Sequence, residues 1–169
     1  MVRTMAGTLP WVVVVAVAGG AIWWLLAREM TAGRWLLAAL LLGHGLVHLL
    51  FVVPASAADG GTEWPFDLAR SWLVTGVGLD ASLVRAVAMG LIAIVVGGFA
   101  LAALSTVGVV VPIDWWRPLV AVSAGASAAV LLLAFQPQLI LGLGMDGVLL
   151  WVAVAGAWVP SVVTPGLGG

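Results

Sequence analysis

Leu41-Leu42-Gly43-His44-Gly45-Leu46-Val47-His48-Leu49-Leu50 carries both histidines of the 169-residue chain inside an apolar run. Residues 35–53 around it are long enough to cross a bilayer as a helix, and at about 1.5 Å per residue His44 falls near the midplane. His48 lies one turn further on. Positions i and i+4 share a helix face, so both imidazoles look the same way. Ionisable groups at such depth face other helices or water rather than lipid.

The rest of the chain fits a membrane setting. Hydrophobic residues make up 64% and charged residues 8%, against roughly a quarter charged in soluble domains. The length allows one bundle of helices and no separate ATPase-sized domain, and no glycine-rich nucleotide motif occurs. The net charge of −1 offers no basic surface for nucleic acid, and the absence of cysteine removes thiolate metal sites and disulfides. All six cations are arginine, a composition typical of GC-rich bacterial genomes.

The expected fold is all-α, a single transmembrane domain of five helices over residues 9–27, 35–53, 83–111, 119–135 and 139–159. Trp11 and Trp23-Trp24 sit near the ends of the first apolar run as interfacial anchors. Between the second and third spans, Pro65 to Val74 reads as a short interfacial helix, with proline at its first position. Asp80 or Ser82 caps the third span, which is long enough to tilt or to bend near Gly97-Gly98. In the fourth span, Ser123 and Ser127 recur at four-residue spacing with Ala121, Gly125 and Ala129. They read as packing faces whose hydroxyls bond their own helix carbonyls. The fifth segment reads as a continuous span, although Gly142, Gly144 and Gly147 surround Asp146. The alternative is a break there, with Asp146 as a helix cap.

Arginines divide equally between the two sides. The short, doubly charged loop holding Arg28 and Arg34 breaks the tie and goes to the cytoplasm. Residues 55–82 are then external and the C-terminus cytoplasmic, in a bacterial cytoplasmic membrane.

His44, His48 and Asp146 form the candidate intramembrane polar site, with Arg85 at the start of the third span as a further contributor. His48 near the end of the second span and Asp146 near the start of the fifth lie about 8 and 10 Å below the same surface. Asp146 is therefore expected to face the bundle interior and to meet His48 directly or through one water. Any metal would be held by His44, His48 and Asp146, the two-histidine, one-carboxylate set of open iron or zinc sites. A haem held by both histidines is excluded within one copy, since both leave one helix face. The plainest reading is a neutral imidazole pair that bonds across helices, favoured by Gly43 and Gly45 beside His44.

Several stretches together, His44-Gly45-Leu46-Val47-His48-Leu49, Trp64-Pro65-Phe66 leading to Ser71-Trp72-Leu73, Trp115-Trp116-Arg117-Pro118 after Pro112, and Pro137 leading to Asp146, carry a resemblance. Over about residues 40–150 the chain resembles small actinobacterial polytopic membrane proteins of unknown function, some labelled ABC-transporter permeases. The resemblance implies a multi-pass helical protein and no particular activity. With no complete catalytic set, the expected function is that of a non-enzymatic subunit or accessory of a membrane assembly. Its partners would be the lipid bilayer and other membrane subunits. The alternative is a small transporter or redox component with a metal, haem, quinone or proton site at the histidine face; no cofactor is predicted.

Overall fold

The computed structural model describes residues 31–53 and 66–155 throughout, with isolated positions between 16 and 28. The first expected span, 9–27, and the loop 54–65 lie essentially outside the described residues. Within them every regular element is helical.

Helix α1, Thr31–Val47, tightens into a 3₁₀ turn at His48–Phe51. The His48 ring N–H donates back to the His44 carbonyl, one turn earlier on the same helix. Two short elements follow, a 3₁₀ turn at Leu68–Arg70 and one α turn, α2, at Trp72–Thr75. Then come α3, Ala81–Thr106, α4, Trp116–Leu133, and α5, Ile140–Ala155. The last two are preceded by 3₁₀ turns at Ile113–Trp115 and Pro137–Leu139. Counted with those turns, four helices are long and apolar enough to cross a membrane: Thr31–Phe51, Ala81–Thr106, Ile113–Leu133 and Pro137–Ala155.

Two features differ most from the sequence expectation. The third span ends at Thr106 rather than at residue 111, because Gly108 takes φ +74° and reverses the chain. The Ser105 hydroxyl then donates to the Pro112 carbonyl, and the Trp116 indole donates to Thr106 Oγ1, which fastens the turn. The expected interfacial helix over 65–74 is instead two short turns separated at Ser71, whose ψ of 138° is not helical. The Ser71 hydroxyl accepts from the Leu73 N–H, capping α2, and donates to the Leu133 carbonyl at 2.5 Å, while the Trp72 indole donates to the Leu132 carbonyl at 2.9 Å, so both residues bond the end of α4. α3 is one continuous helix across Gly97-Gly98.

Helix α3 is the central element, packed on α1 and on α4, while α5 packs on α4. Val84, Ala88, Ile92, Val95, Phe99 and Ala102 line its buried side, at the three- and four-residue steps of one helix face. Leu83, Val87, Ile94 and Leu101 on the other side are exposed. A helix apolar all round is one that is buried in a large core or spans a membrane. Close approach at the seams relies on glycine. A Cβ on Gly45 would lie 3.1 Å from Phe99 Cβ, and one on Gly98 would collide with the Ser123 hydroxyl. Gly43, also expected to serve packing, faces open space.

Asp80 caps α3 by accepting from the backbone N–H groups of Ser82 and Leu83 and from the Ser82 hydroxyl. The Ser82 hydroxyl, then the Leu83 and Ser82 amides, hold this carboxyl below its ordinary pKa. A depressed folded-state pKa gives stability that is present above the unfolded carboxylate pKa and is lost as pH falls through the folded one. Asp80→Ala is thus expected to lower the melting temperature at neutral pH. The difference from wild type should shrink on acidification, as a pair of pH-dependent melting curves would show.

Candidate intramembrane polar site

Asp146 lies within the unbroken α5, so its side chain does not cap a helix start. It is fully buried, as are Ser127 of α4 and His48, which is 1% exposed. His44 has a side chain 9% exposed. These four groups meet at one place. His44 Nε2 lies 2.8 Å from Asp146 Oδ1, and Ser127 Oγ lies 2.6 Å from Asp146 Oδ2. Ser127 Oγ is also 3.0 Å from His48 Nε2, and His48 Nδ1 returns to the His44 carbonyl at 3.1 Å. A longer 3.4 Å approach joins Ser127 Oγ to His44 Nε2. The two imidazoles stand edge to face with centroids 5.5 Å apart. Phe99 of α3 closes one side against His44 at 5.2 Å, and Phe51 covers His48 at 6.2 Å.

The structure therefore brings His44, His48 and Asp146 together, with one change of partner. Asp146 meets His44 directly and reaches His48 through the Ser127 hydroxyl rather than through water. Ser127 had read as a packing residue; its neighbour Ser123 does bond its own helix, to the Leu119 carbonyl at 2.7 Å. Arg85 does not join the cluster. It is exposed and lines a cleft of about 230 Å³ with Asp67, Ser82, Phe51 and Phe66. Phe51, in edge-to-face contact with Phe66 at 5.0 Å, both lines that cleft and packs against His48.

Among the described residues no three His, Cys, Asp or Glu side chains group so as to hold a metal ion. Each polar atom of the cluster that is fully buried has a hydrogen-bond partner, the condition under which a buried polar network rigidifies rather than destabilises. The cluster also ties α1 to α4 and α5, helices whose main packing runs instead through α3 and along the α4–α5 seam. Comparison with protein-family models, with curated proteins and with solved structures finds no match for this chain.

Proposed function

We propose that the chain is a non-enzymatic, multi-pass subunit or accessory of a membrane assembly, in which the His44–Asp146–Ser127–His48 cluster locks α1 against α4 and α5. The observation that carries this reading is the closure of the cluster on itself. Its contacts begin at the His44 ring and end at the His44 carbonyl, within a region far shorter than the ~30 Å hydrocarbon core that a conducting path must cross. Among the described residues the other buried polar side chains, Ser71, Ser105, Thr106 and Ser123, bond helix ends or their own helices and do not extend it.

The test is reconstitution. Purified protein in liposomes holding a pH-sensitive dye is expected to give no more proton flux under an imposed gradient than protein-free liposomes. It is also expected to show no visible absorption band and no stoichiometric metal. Flux that Asp146→Asn abolishes, or a bound chromophore, would overturn the lock reading in favour of a transporter or redox component.

In this reading residues 9–27 supply a fifth span, the Arg28–Arg34 connection and the C-terminus are cytoplasmic and residues 55–82 are external. A phosphatase reporter that requires the external compartment should be inactive when fused after Ala155 and active when inserted near Gly78. The reverse pattern would refute this orientation.

A further inference from the structure

Hydrogens can be counted around the cluster. Four contacts close it: His44 Nε2 to Asp146 Oδ1, Asp146 Oδ2 to Ser127 Oγ, Ser127 Oγ to His48 Nε2, and His48 Nδ1 to the His44 carbonyl. Each needs one hydrogen between its two heavy atoms. Two neutral imidazoles, one hydroxyl and an ionised carboxylate supply only three. The carbonyl can only accept, so the single hydrogen of a neutral His48 must sit on Nδ1, which leaves Nε2 with a bare lone pair facing Ser127. The serine has one hydrogen and two acceptors to serve, Asp146 Oδ2 at 2.6 Å and His48 Nε2 at 3.0 Å. Whichever it serves, the other contact sets two lone pairs against each other.

We infer that the cluster binds one additional proton, held between Asp146 and His48 across the Ser127 hydroxyl. Two arrangements then satisfy all four contacts. In one, Asp146 is a carboxylic acid whose Oδ2–H donates to Ser127, while the serine hydroxyl donates to His48 Nε2. In the other, Asp146 is ionised and accepts from the serine, while His48 is an imidazolium whose Nε2–H donates to Ser127 Oγ. They interconvert when the Oδ2 hydrogen passes to Oγ as the Oγ hydrogen passes to Nε2, which moves one positive charge from Asp146 to His48 and leaves the serine unchanged. A proton on His44 instead does not repair the count, because the His48–Ser127 contact still lacks its hydrogen.

Charge leads to the same assignment. With the extra proton the cluster is neutral overall; without it, a net negative charge lies in an apolar interior, which is costly. No other ionisable group offsets that charge among the described residues facing the cluster. Phe99 is the ring that α3 presents, Phe51 closes the loop side, and Arg85 and Asp67 line the cleft with Phe51 and Phe66. The inference deepens the lock reading and rests on it for the claim that all four contacts are kept at once.

The test uses the full chain in lipid nanodiscs at neutral pH and needs no substitution. Valine labelled at its carbonyl carbon and histidine labelled with ¹⁵N together identify His48, since Val47 precedes it whereas Gly43 precedes His44. Nitrogen chemical shifts then report whether the His48 ring carries one hydrogen or two. Infrared spectra with and without ¹³C-aspartate report a carboxylic-acid C=O band. The expected result is one proton per chain, seen as a doubly protonated His48, a buried aspartic acid band, or fractions of both that add to one. Two neutral imidazoles with only ionised carboxylates, or an imidazolium confined to His44, would overturn it. A missing proton in a protein that Asp146→Ala still destabilises would leave the lock intact and remove only this inference. A bound proton in a protein indifferent to Asp146→Ala would do the opposite.

Discussion

Asp146→Ala is expected to lower the stability of the folded bundle by about 2–5 kcal/mol, through two lost hydrogen bonds and one buried neighbour left unsatisfied. The loss comes from both contacts of the Asp146 carboxyl group: without it His44 Nε2 faces a small apolar cavity, while the Ser127 hydroxyl keeps only His48 Nε2 at 3.0 Å. An unsatisfied buried group costs about 1–3 kcal/mol. Removing the whole cluster, with leucine at His44, His48 and Asp146 and alanine at Ser127, should cost less than the single change, since no polar atom is then stranded. Reversible unfolding in mixed detergent micelles measures both. If the quadruple variant lost as much as the sum of the four single variants, the groups would be acting independently and the lock would be wrong.

The second large effect belongs to the α3–α4 seam. Gly97 and Gly98 are neighbours in sequence with the same backbone state, yet a Cβ on Gly97 meets open space while one on Gly98 collides with Ser123 Oγ and lies 3.3 Å from Ser123 Cβ. Gly97→Ala is expected to be neutral or to stabilise by up to about 1 kcal/mol, as alanine does over glycine within a helix. Gly98→Ala is expected to destabilise by about 1–3 kcal/mol through overpacking. Adding Ser123→Ala to Gly98→Ala should recover most of that loss, because it removes the colliding oxygen at the cost of a bond to the serine's own helix. Equal effects of the two glycine changes in the same unfolding assay would refute the close approach.

Much of the helical plan was legible from hydropathy alone, because a chain this poor in charge buries its backbone in helices or leaves it unsatisfied. Shared depth brought His48 and Asp146 to one level. The same count applied to the fourth helix would have found Ser127: it lies six residues before Leu133, and His44 lies seven before Phe51, about 9 and 10 Å from one surface. A serine at four-residue spacing in an alanine- and glycine-rich helix looks like a small packing residue, and only the facing carboxylate marks it out. Arg85 was misjudged for the converse reason. Its depth was near that of the cluster, but its azimuth on α3 is set by Val84 and Ala88 turning inward, which hydropathy cannot resolve in a helix apolar on every side. The end of α3 depended on Ser105, Thr106 and Gly108 acting together, where valines on both sides concealed the turn.

The wide separation of the cluster's members along the chain bears on how the protein is made. His44 and Asp146 are 102 residues apart, so at about 5–20 residues per second a ribosome needs about 5–20 s to pass from one to the other. During that interval the helix with both imidazoles, and then the helix with Ser127, have been synthesised, while the carboxylate they close upon has not. The α1–α3 and α3–α4 seams can form as their helices emerge, but the polar contacts await α5. A chain truncated before Asp146 therefore presents two histidines with no acid to receive them. Closure of the cluster therefore joins a helix made early to one made about 5–20 s later, and until α5 arrives the two imidazoles lack their acid partner.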